Sequence, residues 1–233
     1  MSKYSSTINL LLSNSLGAFY FLGAMITDGN VYKVKINTCK SSLVSKDDDW
    51  LKDINLKLLD GEGFFRTRKN KTTHELWLYN SEIYDWLVKH ECVENKSLIV
   101  KMPCIPDKYF PDFIRACIDG DGSISSCNYT KTKNNKIYNY QANVSYICSG
   151  SKDFLISIQD KLLDFGIKGS FCEVTKTISH LKDGSEIIPR NPHYRLTFSG
   201  KSCVDFLKFA YYKDHPISMA RKRLKADQII SQY

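Results

Sequence analysis

Two aspartates, Asp28 and Asp121, close two similar nine-residue segments in a chain of 233 residues. The first segment is Phe21-Leu22-Gly23-Ala24-Met25-Ile26-Thr27-Asp28-Gly29. The second is Ile114-Arg115-Ala116-Cys117-Ile118-Asp119-Gly120-Asp121-Gly122. Each reads as the end of a helix. A helix C-terminus carries partial negative charge, so a carboxylate there is disfavoured by about 0.3–1 kcal/mol. Two converging carboxylates repel further. A hard divalent cation such as Mg²⁺ relieves both penalties, and with open positions for water and phosphate it suits phosphodiester cleavage. An Asp-Gly pair also ends many ordinary helices, with the glycine in the left-handed region. Two copies, each with small residues before the Asp and a basic strand region after it, favour the metal.

The small residues indicate how the aspartates meet. Gly23 and Thr27 lie four apart on one helix face, as do Ala116 and Gly120 on the other. Small residues at that spacing let two helix backbones approach closely. Packing these faces together brings Asp28 and Asp121 to one end of the contact.

The elements around each motif also repeat. Trp50-Leu51, Ile54 and Leu58-Leu59 match Phe154-Leu155, Ile158 and Leu162-Leu163, an amphipathic helix stripe in each case. Asp47 and Ser151 stand where the N-caps of those helices belong. Residues Leu76 to Leu87 match Leu196 to Leu207. Strand patterns fall at Val31 to Ile36, Leu43-Val44, Phe64 to Arg68 and Thr73 to Tyr79. Those of the second copy fall at Ser123 to Tyr129, Ile137 to Ile147, Ser170 to Thr177 and His193 to Phe198. Lys69-Asn70-Lys71 and Lys133-Asn134-Asn135-Lys136 read as turns. Each copy is therefore helix, two strands, helix, two strands, helix: an α+β chain of two αββαββα repeats. The boundaries are residues 1–102 and 111–233, with a proline-rich linker at 103–110.

Composition narrows the class of protein. The net charge of +8 suits a polyanionic partner but does not demand one. Eight cysteines form no C-x-x-C pair and sit mostly in apolar surroundings, which predicts buried reduced thiols rather than a zinc site. No apolar run approaches a membrane span, and Ile8 to Leu12 is too short for a signal-peptide core. The expected setting is intracellular, without membrane association: the cytoplasm of a prokaryotic or phage-infected host, or an organelle matrix.

In its motifs the chain resembles the LAGLIDADG homing endonucleases, in the single-chain, two-motif form. The second segment fits the family motif well, flanked by Phe113 and Ser123. Glu94-Asn95-Lys96-Ser97, Pro103 and Ile105-Pro106 also resemble the family. The first segment has Ile26 where the consensus has its first acidic residue, but keeps Asp28. The resemblance implies a pseudo-twofold monomer whose strands form a saddle on double-stranded DNA, with the motif helices between the halves. It implies that Asp28 and Asp121 bind Mg²⁺, helped by the main-chain carbonyls of Thr27 and Gly120. Each half would cut one strand across the minor groove, leaving short 3′ overhangs. A basic residue is implied near each scissile phosphate: Lys96 in the first copy and Lys222 in the second, with Arg221 the next choice. The competing reading makes both lysines solvated surface residues.

Lys33, Lys35, Lys40, Arg66, Arg68, Lys71, Lys131, Lys133, Lys136, Lys176, Arg190 and Arg195 lie in the strand regions and are the candidate DNA contacts. Alternate positions, such as Lys33 and Lys35 or Arg66 and Arg68, project from one sheet face. Unlike halves predict a long asymmetric target. Two rivals share this fold: an RNA-binding intron maturase, and a DNA-binding regulator without catalysis.

Overall fold

The computed structural model describes residues 3–35, 38–69, 72–174, 179–180, 186–187 and 191–233. The first half contains α1 (Ser5–Leu12), α2 (Leu16–Thr27), β1 (Gly29–Lys35), β2 (Thr38–Ser45), α3 (Asp48–Asp53), β3 (Phe64–Thr67), β4 (His74–Tyr79) and α4 (Ser81–Lys89). The second contains α5 (Phe110–Asp121), β5 (Gly122–Lys133), β6 (Lys136–Ser149), α6 (Lys152–Asp164), β7 (Ser170–Val174), β8 (Ser179–His180), β9 (Glu186–Ile187), β10 (His193–Ser199), α7 (Lys201–Ala210) and α8 (Ala220–Ile230).

Each half builds one four-stranded antiparallel sheet. The orders, β1-β2-β4-β3 and β5-β6-β10-β7, are the same once the small β8-β9 hairpin is set aside. The predicted α+β class is what the chain adopts. Among the described residues, helices α1 and α8 and the β8-β9 pair lie outside the predicted pattern. Helix α1 is anchored at its start by Glu62, which accepts from the Ser6 and Thr7 amides at 3.0 and 2.8 Å. Those are the orphan donors of a helix N-terminus.

Helix α2 is apolar all round, and every residue from Gly17 to Ile26 is buried. A helix of that kind belongs inside a protein. Here it packs against α5, whose Pro111 sits in the first turn, where a missing amide costs nothing. A Cβ on Gly23 would stand 2.7 Å from Ala116 Cβ and 2.7 Å from the Phe113 carbonyl. A Cβ on Gly120 would collide with Thr27 Oγ1. The two small-residue faces therefore meet as their spacing predicts. Among the described residues no single helix is long and apolar enough to cross a membrane.

All eight cysteines are unpaired. Cys39, Cys92, Cys117 and Cys203 are buried, but Cys104, Cys127 and Cys172 are exposed, contrary to the expectation of mostly buried thiols. Cys127 and Cys172 occupy the open face of the second sheet, and Phe171, beside Cys172, projects to the other side.

Candidate metal centre and nucleic-acid interface

Asp28 caps α2, its amide donating to the Ala24 carbonyl at 3.0 Å, and Asp121 is the last residue of α5. Neither following glycine takes the left-handed backbone of an ordinary helix stop. Gly122 is extended, with φ −97° and ψ 172°, and Gly29 has no positive φ. These glycines serve close approach instead. A Cβ on Gly122 would meet Ile118 Cα at 2.6 Å, and one on Gly29 would meet Met25 Cα at 2.6 Å. The chain therefore turns sharply from each motif helix straight into the first strand of its sheet.

The carboxylates converge across the helix contact. Asp28 Oδ2 lies 3.1 Å from where a Cβ on Gly120 would stand, so it reaches over the backbone of the opposite motif. Burial first, and then the negative charge of Asp121, push the Asp28 pKa up to about 7. Partial burial raises Asp121 too, while Lys222 and Lys96 pull it back. Asp28 lines a cleft of about 490 Å³ together with Gly120, Lys46, Asp47 and Arg221.

Lys96 and Lys222 are both buried, which rules out the solvated-surface reading. Lys96 Nζ donates to the carbonyl of Gly29, one residue beyond Asp28. It follows Asn95, a left-handed turn residue with φ 54°. Lys222, in the first turn of α8, donates to the carbonyls of Ile118, Asp119 and Gly120 at 2.7, 2.6 and 3.1 Å. The three ammonium protons thus bond three carbonyls at the negative end of α5, of which that of Ile118 also accepts from the Gly122 amide. Each lysine attends the motif of its own half. Burial lowers both pKa values, that of Lys222 to about 8.

The helix end of the second motif is tied down by groups that local sequence does not reveal. Asp119, fully buried, accepts from Tyr20 and Tyr211 hydroxyls at 2.6 Å each and from the Met219 amide at 3.0 Å. Trp50 Nε1 donates to Tyr20 Oη at 2.7 Å. The acidic residue missing from the first motif at Ile26 is thus, in the second, a structural tie rather than part of the cleft. Arg115, also fully buried, pairs with Asp112 at 2.6 Å and donates to the carbonyls of Ile217 and Ala210. Its i,i+3 spacing from Asp112 was a local signal; its other partners lie about a hundred residues away.

Asp47 occupies the N-cap position of α3 but makes no capping bond there. Its carboxylate instead holds Arg221 at 2.7 and 3.0 Å, an ion pair between the two halves at the cleft mouth. Ser151 does cap α6, accepting from the Phe154 amide at 3.3 Å.

The predicted DNA contacts divide. In the first sheet, cross-strand partners place Tyr32, Lys40, Glu75, Trp77, Tyr79 and Arg66 on the open face. Lys40 is buried there, 3.3 Å from Glu75 and 3.9 Å from the Trp77 ring centroid. Arg66 and Arg68 also converge on Glu75, at 3.1 and 3.3 Å. Burial opposes ionisation of Glu75, but Arg68, Lys40 and Arg66 outweigh it and hold its pKa low. Three cations expected to face a polyanion are thus partly neutralised by one carboxylate. Lys33 is on the other face, with buried Val31, and its ammonium lies 5.6 Å from the Tyr84 ring of α4. Lys33 and Arg66, both expected as DNA contacts, thus lie on opposite sides of the sheet. In the second sheet Lys131, Lys133, Lys136 and Arg195 share the open face. Arg195 lies 4.3 Å from the Tyr146 ring, and its Nε has no hydrogen-bond partner among the described residues. Lys71, Lys176 and Arg190, and the side chain of Lys35, lie outside the described residues.

Among the described residues no cluster of three or more His, Cys, Asp or Glu could hold a metal. The donor set is two carboxylates with adjoining main-chain carbonyls. Hard oxygens, drawn together against their own repulsion, fit a Mg²⁺-like cation that keeps several waters.

No family model matches the chain, and no curated protein does. Solved structures do. One is a single-substitution variant of I-SmaMI, at TM-score 0.60 and 14% identity, covering 92% of this chain and 91% of that one. Another is the I-SmaMI LAGLIDADG homing endonuclease bound to cleaved DNA, at TM-score 0.59 and 13% identity, covering 91% and 87%. A third is I-DmoI in complex with DNA and Ca, at TM-score 0.58 and 17% identity, covering 92% and 98%. At such identities the likeness shows the fold: this chain is built like these two-sheet homing endonucleases along most of its length.

Proposed function

We propose that this chain is a site-specific DNA endonuclease, acting as a monomer on a long asymmetric duplex and cutting both strands with Mg²⁺. One observation carries the reading. Two helix C-termini bring Asp28 and Asp121 close to each other beside a cleft that Asp28 lines, and a buried lysine is bonded to the main chain at each motif. Nothing in folding alone favours that concentration of charge. The solved neighbours bound to DNA, and to DNA with Ca, support it.

Asp28 and Asp121, with the carbonyls of Thr27 and Gly120, would hold the cation. Bound there, it would lower the pKa of water and stabilise charge on the leaving 3′ oxygen. The side chains of the protein do the rest. Lys96 and Lys222, immobilised by carbonyls, present positive charge where negative charge grows on a phosphate, without reorganisation. Among the described residues no side chain is placed as a dedicated base, so solvent would take the proton. The open faces of the two sheets, with Lys131, Lys133, Lys136 and Arg195 on one and Arg66 and Arg68 on the other, would hold the duplex.

The test is cleavage of a randomised duplex library with Mg²⁺, followed by sequencing of the cut ends. Cuts at one long site, lost for at least one strand in Asp28→Asn or Asp121→Asn with binding retained, are expected. Tight binding to a structured intron RNA with no DNA cleavage would overturn the nuclease reading in favour of the maturase.

A further inference from the structure

The two sheets differ in one respect that bears on the target. Strand β1 pairs with β2 only as far as Lys35↔Thr38, two residues beyond the buried Cys39 partner Lys33. Strands β5 and β6 stay paired to Lys133↔Lys136, seven residues beyond Ser126, whose partner Asn143 is the last buried residue along the ribbon. At about 3.3 Å per residue the second ribbon projects roughly 23 Å past its core, against roughly 7 Å for the first.

A free two-stranded ribbon is marginal in water, and this one is built to hold its shape. Asn134 and Asn135 both take left-handed backbone, φ 50° and 57°, the two-residue turn that matches strand twist. Tyr129 and Tyr140, directly cross-strand, stack at 5.5 Å between centroids, and Tyr138 lies 6.4 Å from Tyr140. Yet the apolar surface is uncovered: Ile137 is 73% exposed and Tyr138 and Tyr140 43% each. Residues 122–149 contain no Asp or Glu. One face carries Tyr129, Lys131, Lys133, Lys136, Tyr138 and Tyr140 together. A rigid, acid-free ribbon with lysines and tyrosines on one face has the width and charge for a DNA major groove.

We infer that the β5–β6 ribbon is a one-sided reading arm: it follows the major groove about five base pairs further from the cleft than β1–β2 does, so the cut lies off-centre in the bound site. The five base pairs are the difference of roughly 16 Å in reach at about 3.4 Å per pair. On this arm the three lysines contact phosphates, and the tyrosines contact base edges and thymine methyl groups. The inference rests on the DNA-endonuclease reading.

The experiment uses duplexes selected from a randomised library with the full-length protein in Ca²⁺, footprinted by hydroxyl radicals, then cut with Mg²⁺ to mark the scissile bonds. Expected is protection about five base pairs longer on one side of the cut. A variant with residues 128–141 replaced by Asn-Gly should lose about six base pairs of protection on that side alone, with the same two bonds cut. In case that variant misfolds, Lys131→Gln/Lys133→Gln/Lys136→Gln, on exposed positions, should reduce the slope of log affinity against log salt by about 2–3. Arms of equal length about the cut, or a salt slope unchanged in the triple variant, would overturn the inference and leave the nuclease standing. Failure of the wild-type protein to bind any duplex would overturn both.

Discussion

Asp28 is held in a folded state that resists its charge. Its pKa rises from an ordinary 3.8 to about 7 through burial and Asp121. The folded chain therefore holds this proton more tightly than the unfolded chain. Stability is fully present below about pH 4 and is lost as pH rises towards 7. Asp28→Asn removes the penalty. In urea titrations with chelator at pH 8 it should be more stable than wild type, by about 1–3 kcal/mol after allowance for solvent screening. The gain should vanish by pH 4. A less stable Asn variant at pH 8 would mean the carboxylate is not under this repulsion. Saturating Mg²⁺ should close the gap from the other side by stabilising the wild type alone. Lys222 carries the opposite shift, down to about 8. If its charge assists cleavage, the rate at saturating Mg²⁺ should decline above pH 8 as that proton is lost. A rate still rising at pH 9.5 would remove Lys222 from the chemistry and leave it as the cap of α5.

The α2–α5 pair sets the distance between the aspartates, and two glycines set the pair. Ala at Gly23 would press on Ala116 Cβ and the Phe113 backbone at 2.7 Å. Backbone cannot step aside cheaply, so Gly23→Ala should cost about 1–3 kcal/mol, measured as a shift in urea midpoint. Helix propensity pulls the other way by up to about 1 kcal/mol, since Ala is the better helix former; net stabilisation would show that the helices can separate. This contact was legible in sequence because small residues at i and i+4 leave one structural use. The repeated strand and helix order was legible for the same reason: each amphipathic pattern occurs twice. What stayed hidden depends on long-range partners. Nothing near Lys40 announces that it is buried against Glu75, 35 residues on and across a strand. The face of Lys33 could not be told from that of Arg66 without the pairing register. Helix α8 carries Ala226 and Ile229 inward but leaves Leu224 61% exposed, so its apolar period is weak. Asp47 looked like a cap because a cap needs only a local amide; the Arg221 that claims it lies 174 residues away.

The halves are joined by more than the motif helices. Tyr20 of the first half binds Asp119 of the second, Asp47 binds Arg221, and Ser151 Oγ donates to the Val100 carbonyl at 2.7 Å. The buried residues form one continuous cluster running through both halves. Neither motif helix can keep its buried face if the other leaves, so the halves should unfold together. The chain supplies its own test. Its three tryptophans, Trp50, Trp77 and Trp86, all lie in the first half, whereas helices lie in both. Tryptophan fluorescence therefore follows the first half, and far-ultraviolet circular dichroism follows the whole. In urea the two signals should give one midpoint and one slope, as a single cooperative unit requires. Tyr20→Phe, which withdraws one donor from the buried Asp119 carboxylate, should lower both midpoints equally, by about 1–3 kcal/mol in stability. Two separated midpoints would mean that each half carries its own core. The aspartates could then part without unfolding, and the cleft would be a product of docking rather than of the fold itself.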